Sequence, residues 1–175
     1  MIIEFIPLEG IKIDNKTIRF GATKEEVIKA LGIPDDILDG MLYYDNIGLR
    51  IELDKNMKVS FAESWNEENI KLKLYNINPL EIECETVLKL LEEKNKGKIE
   101  YEGGYNYYFL NLSLGIGREL TTSDVLDMIK EAKAENVYEE MKEQLLSDLK
   151  KSKYFESIGL GTKGYYVEVK GGEDE

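Results

Sequence analysis

Apolar and polar positions change period along the chain, and each change marks an element. Val27, Ile28 and Leu31 recur at helical spacing between Lys24 and Leu31, which predicts a short helix with one buried stripe. Thr23 and Glu26 stand as a T-x-x-E capping box at its start, each side chain able to satisfy a backbone N–H that a first helical turn leaves open. Gly32 suits the left-handed position after the last turn, and Pro34 blocks continuation. From Leu49 the period falls to two. Leu49, Ile51 and Leu53 alternate with Arg50 and Glu52, so a strand is expected with one face buried and one wet. Residues 54–57 read as a hairpin turn. The return, 58–65, places Val59, Phe61 and Glu63 on one side and Ser60, Ala62 and Ser64 on the other. Ile70, Leu72 and Leu74 alternate with Lys71 and Lys73 and predict a further strand. So do Leu110, Leu112, Leu114 and Ile116, spaced by Asn111, Ser113 and Gly115.

Residues 122–153 return to the helical period. Val125, Ile129 and Ala132 form one stripe, and Val137, Met141, Leu145 and Leu149 another at i, i+4 spacing. Residues 134–136 kink or break this region. A final strand is expected over 164–170, with Tyr165, Val167 and Val169 on one face, followed by a flexible acidic tail, 171–175. Residues 11–15 resemble residues 72–76, and each copy is followed by a helical pattern (24–31 and 85–92) and then a Tyr-Tyr pair. An internal repeat over 11–65 and 72–120 within one globular domain, 1–175, accounts for this. The fold class is therefore α+β: an antiparallel sheet built from two tandem helix-plus-sheet units, with a long helical region near the C-terminus. Val27, Leu31, Leu49, Ile51, Leu88, Leu91, Leu112, Leu114, Val125 and Ile129 are the expected core.

Composition narrows the chemistry. The 175 residues include no His and a single Cys, Cys84. Ser-His-Asp and Cys-His catalysis, His-based metal centres and intrachain disulfides are excluded. Acidic neighbours, Glu83 and Glu85, disfavour a reactive thiolate at Cys84, which reads as a small buried residue near a helix start. Asp35, Asp36 and Asp39 lack EF-hand spacing and read as a solvated turn. Gly103-Gly104 and Gly115-Ile116-Gly117 match no phosphate-loop pattern and read as turns or sheet bends. No cofactor or metal is expected. Lys plus Arg number 23 and Asp plus Glu 35, giving a net charge of -12. The excess is spread over all three thirds of the chain and disfavours nucleic acid and anionic membranes while attracting basic partners. With no long apolar run and no signal-like start, a cytoplasmic location is expected.

The run Gly21-x-Thr23-x-Glu25-Glu26-Val27-x-x-x-Leu31-Gly32-x-Pro34-Asp35, followed by a Tyr-bearing strand and a hairpin, resembles the helix-then-antiparallel-sheet unit of the beta-lactamase-inhibitor-protein-like and outer-membrane small lipoprotein A folds. The inhibitor carries two such units in tandem. The layout is also loosely similar to bacterial toxin-immunity proteins. The resemblance covers about 45 residues. The lipidated Cys and the disulfides of those families are missing here, so the secreted and outer-membrane roles do not transfer.

The tyrosines are the most suggestive candidates for binding. There are 11, including the doublets Tyr43-Tyr44, Tyr107-Tyr108 and Tyr165-Tyr166. On a strand the two members of a doublet face opposite sides, so one can fill the core while the other supplies rigid contact area. Tyr44, Tyr105, Tyr107 and Trp65 are the candidate anchors, with Asp45, Glu63 and Glu102 as the acidic rim. The function expected is a non-enzymatic protein-binding protein, an inhibitor or immunity protein that neutralises a basic toxin domain. A structural or oligomeric module and a carboxylate-based enzyme are the alternatives, and the oligomeric state stays open.

Overall fold

A computed structural model describes residues 1–167. The chain forms β1 (Ile2–Ile6), β2 (Gly10–Ile13), β3 (Lys16–Arg19), α1 (Lys24–Leu31), β4 (Asp36–Leu38), β5 (Met41–Tyr44), β6 (Leu49–Leu53), β7 (Val59–Trp65) and β8 (Lys71–Lys73). Then follow α2 (Cys84–Asn95), β9 (Ile99–Glu102), β10 (Asn106–Phe109), β11 (Leu114–Gly117), α3 (Thr122–Ala134), α4 (Tyr138–Lys151) and β12 (Ser157–Gly161). The class is α+β. The strands build two sheets, one of order β3-β2-β1-β8 and one of order β4-β5-β6-β7-β12-β11-β10-β9. Every neighbouring pair is antiparallel except β1 with β8.

The large sheet consists of two units of the same order. α1 is followed by β4, β5, β6 and β7, and α2 by β9, β10, β11 and β12. The fourth strands, β7 and β12, pair at the centre, Glu63 opposite Gly159. In the second unit the α3–α4 hairpin is inserted before the last strand, so that strand lies well beyond residue 120. The small sheet lies against one face of the large one. Ile3, Phe5, Ile11, Ile13 and Ile18 share one buried cluster with Leu49, Ile51, Leu114, Ile158 and Leu160, and Val27 of α1 and Val87 and Leu91 of α2 complete it. Each apolar side chain removed from water in such a cluster contributes roughly 1.5–3 kcal/mol.

Local chemistry explains the boundaries. The expected capping box is formed: Thr23 N donates to Glu26 Oε2 at 2.8 Å and Glu26 N to Thr23 Oγ1 at 3.3 Å. Thr121 and Asp124 make the same arrangement at the start of α3. The break near 134–136 is real. Asn136 takes φ 58, and α3 and α4 fold into a helical hairpin whose contacts are chiefly internal. Its buried Val125, Ala132 and Leu145 stand outside the inter-sheet cluster, and Ile129 is half-buried. Leu31 and Leu88 are also only partly buried, against the edge of that cluster.

Several expectations need correction. A bulge between Glu52 and Leu53 shifts the register of β6 with β7. Val59 therefore lies opposite Leu53 on the inner face, whereas Phe61, opposite Glu52, points outward. The alternation over 110–116 is not one strand. Leu112 N and Ser113 N bond back to Phe109 O and Leu110 O, and Ser113 takes φ 47, so 110–113 is the turn of the β10–β11 hairpin. The last described strand is 157–161. Tyr165 begins a helical turn instead of a strand, and residues 168–170 lie outside the described residues. The tail expected over 171–175 also lies outside them. The small sheet's N-terminal strands, and β4, β9 and β12, are additions to the expected set.

Candidate binding face

Strand parity assigns each side chain of the large sheet to a face. Leu42, Tyr44, Leu49, Ile51, Ala62, Ser64, Ile158 and Leu160 share the inner parity. The outer parity carries Tyr43, Arg50, Glu52, Phe61 and Glu63 in the first unit. In the second it carries Tyr108, Asn106, Glu100 and Glu102. α1 contacts β3, and α2 packs behind β10 with its buried side chains in the inner cluster, so neither lies on this outer face, which is met instead by the helical turn that begins at Tyr165.

At the centre the outer parity has no side chains. Gly115 and Gly117 on β11 and Gly159 and Gly161 on β12 all point outward, with Gly115 opposite Gly159. The result is a floor of bare backbone, which only glycine permits because rings lie directly on it. A Cβ at Gly115 would overlap the Tyr166 hydroxyl, and one at Gly161 would overlap Tyr165 Cβ. At Gly159 it would stand 2.5 Å from the Phe61 ring and 2.9 Å from Tyr166 Oη.

Aromatic rings border and fill the floor. Phe61 and Tyr165 stack with centroids 4.7 Å apart and planes 9° from parallel, and Tyr108 meets Tyr166 at 5.1 Å. The Tyr165 hydroxyl donates to Glu52 at 2.7 Å. Burial, then Glu52, pushes the Tyr165 phenol well up, and burial does the same to Tyr166. Around them the outer parity holds the carboxylates Asp36, Glu52, Glu63, Glu100 and Glu102. Cations beside them among the described residues include Arg50, paired with Glu63 and over the Phe61 ring, and Lys98, paired with Glu100.

The candidate residues fare differently. Glu63 and Glu102 lie on the outer face, on β7 and β9. Four strand spacings separate those strands, roughly 19 Å. Trp65 ends β7 on the same parity and lines a cleft of about 400 Å³ with Leu80, Tyr154 and Glu156. Its indole donates to Glu67 at 3.0 Å. Asp45 sits in the exposed turn after β5, where its N–H donates to Asp35. Tyr44 is not an exposed anchor. It is 5% exposed on the inner face and donates to Gly32 O at 3.2 Å; burial, with Asp35 nearby, pushes its phenol up to about 12. Tyr107 shares the inner parity and meets Phe155 edge-on at 5.9 Å, so Tyr108 is the outward member of that doublet. Tyr105 serves α3, donating to Asp124 at 3.0 Å.

Phe61, Glu52, Gly159 and Gly161 were not singled out in the sequence, Tyr108, Tyr165 and Tyr166 stood out only as members of doublets, and Gly115 and Gly117 only as a turn or bend. The signal was the G-x-G spacing at 115–117 and 159–161, which puts two glycines on one face of each of two strands. Read singly, 115–117 suggested a bend, and 159–161 did not stand out.

A second concavity, about 640 Å³, opens between the starts of α2 and α3 and is lined by Cys84, Tyr107, Arg118, Thr122 and Lys153. Arg118 is already engaged: Nε donates to Gly104 O, and one terminal nitrogen to Ser152 O and Cys84 Sγ. Burial pushes the Cys84 thiol up, with Arg118 opposing. Asp54 and Asp124 are held low by the hydrogen bonds of a turn and a helix cap. Among the described residues no three metal-ligating side chains converge, and no helix is long and apolar enough to cross a membrane. No known protein family, curated protein or solved structure matches the chain.

Proposed function

We propose that this chain is a non-enzymatic protein-binding protein whose outer sheet face engages a basic protein partner, as an inhibitor or immunity protein does with a toxin domain in the cytoplasm. The observation that carries the reading is the outer face itself. It combines a glycine floor that carries the rings of Tyr165 and Tyr166, further rings at its borders and, among the described residues, an excess of carboxylates over cations. Aromatic side chains held on a rigid sheet supply desolvated contact area at low entropic cost. Surrounding carboxylates raise the association rate of a basic partner and lose that effect as salt screens them. The duplicated helix-plus-meander order supports the likeness to two-unit inhibitor folds.

Immobilised protein, the variant Tyr108→Ala and the variant Glu63→Lys are to be compared in capture from the native host at low and high salt. The reading expects one basic protein held stoichiometrically by the parent, lost with Tyr108→Ala and weakened by salt and by Glu63→Lys. Capture that all three forms share equally, or none at low salt, rejects it.

A further inference from the structure

We propose that residues 162–167 form a displaceable strap, and that Tyr165 and Tyr166 stand on the glycine floor in the place taken by a basic partner's own aromatic side chains when it binds. This rests on the outer face being the binding face.

The attachment of the segment is lopsided. Thr162 is tied by its backbone, its N–H donating to Ser60 O at 2.8 Å and its carbonyl accepting from Ser113 Oγ at 2.5 Å. Beyond it the backbone bonds among the described residues are local, Tyr165 N to Thr162 O and Val167 N to Gly164 O. Residues 163–167 therefore meet the sheet through side chains: the Tyr165 ring on Phe61, its hydroxyl on Glu52, and the Tyr166 ring over Gly115 and Gly159. Among the described residues, releasing them breaks no ladder hydrogen bond. Release would uncover a backbone-floored trough one residue deep between Phe61 and Tyr108, on which flat rings can lie as Tyr165 and Tyr166 do, with Glu52 and Glu63 at its side to receive hydroxyl or cationic donors. The strap itself, with Lys163 beside Tyr165 and Tyr166, displays the chemistry such a ligand needs.

An attached competitor of this kind acts at an effective concentration on the order of 1 mM. If the same segment binds in trans with a dissociation constant of about 100 μM, the attached copy weakens an incoming ligand by about tenfold. The probe is a fluorescein-labelled peptide of residues 161–170. The receptors are the full chain and the full-length variant Tyr165→Ser/Tyr166→Ser, with folding checked by circular dichroism. The variant is expected to stay folded and to bind the peptide saturably, at least tenfold more tightly than the parent. A control peptide with both tyrosines replaced by serine is expected not to bind. Gly115→Ala in the otherwise unchanged chain is expected to expel the Tyr166 ring, read as faster nitration of Tyr166, while the fold persists.

Equal binding by variant and parent, equal binding of the control peptide, or an unfolded double variant would overturn the strap. So would Tyr166 nitration unchanged by Gly115→Ala. The two readings fail separately. Peptide binding to the opened floor without any face-dependent basic partner leaves the strap and removes the proposed function. A partner captured equally by the parent and the double variant does the reverse.

Discussion

Replacing Tyr44 and Tyr43 in turn tests the assignment of faces on which the binding face depends. The two residues are neighbours of the same type on β5, so any difference comes from facing. Tyr44 is 5% exposed among Leu49, Ile51 and Leu42. Truncation to Ala removes a ring from a packed core and leaves a void, which costs about 3–5 kcal/mol. Tyr44→Phe keeps the ring and removes the hydroxyl bond to Gly32 O, a loss of about 0.5–1.5 kcal/mol. Tyr43 is half-buried on the outer side, where its hydroxyl donates to Met41 Sδ at 3.3 Å. Tyr43→Ala is expected to cost under about 1.5 kcal/mol, since most of its ring contact is with the sheet surface. For a chain of this size 1 kcal/mol moves the melting temperature by roughly 2–4 °C, so Tyr44→Ala lowers it by roughly 6–20 °C. Urea unfolding followed by far-UV circular dichroism gives the free energies directly. The phenol adds a second signature. It titrates at 10.0 when unperturbed and at about 12 in the fold, so the fold favours the neutral form. Its contribution is fully present below pH 10 and is lost as pH rises from there through about 12. Tyr44→Phe should flatten that part of the alkaline decline. A larger loss at Tyr43 than at Tyr44 would mean that β5 is assigned to the wrong face.

Other consequences are open to the same measurements. Asn95 is 2% exposed, its side-chain oxygen accepts from Asn111 N and its side-chain nitrogen donates to Lys98 O; Asn95→Ala should cost roughly 1–3 kcal/mol in urea unfolding by leaving these groups unpaired. Arg118→Met should loosen the α3–α4 hairpin, since Arg118 joins the β9–β10 turn, Cys84 and the end of α4. Hydrogen exchange should show faster opening of α3 and α4 with β6 and β7 unchanged, and Arg118→Lys should fail to restore it because one ammonium cannot span those acceptors. Thr121→Ala should destabilise the chain by about 1 kcal/mol through loss of the α3 cap, with lower helicity at 222 nm.

What the sequence revealed follows from where one physical signal dominated. α1 was legible because period, capping box, Gly32 and Pro34 agree within 12 residues. β6 was legible because Leu49, Ile51 and Leu53 are separated by charged residues. Its partner β7 was not fully legible, because a bulge changes phase without changing composition. β12, Ser-Ile-Gly-Leu-Gly, was invisible, since glycines on the outer parity remove the polar half of the alternation. The N-terminal strands are short, and only pairing with one another and with β8 gives them a sheet. Of the candidates chosen from charge near aromatics, Glu63 and Glu102 share the outer face of the large sheet. Tyr44 and Tyr107 lie on the inner parity instead, because in a Tyr-Tyr pair only the register of the neighbouring strand says which ring is inside. The floor required four glycines from two strands about 40 residues apart in sequence to be seen as neighbours, which no local pattern shows.

Hydroxyl-radical footprinting of the chain with its captured partner tests the binding face at side-chain resolution. Tyr43 and Tyr108 report the outer sheet face, and Met141 and Leu146, both exposed, report the helical hairpin. The account predicts that the partner shields Tyr43 and Tyr108 while Met141 and Leu146 are oxidised as in the free chain. Shielding of Met141 and Leu146 with Tyr43 and Tyr108 unchanged would place the partner on the hairpin and contradict it.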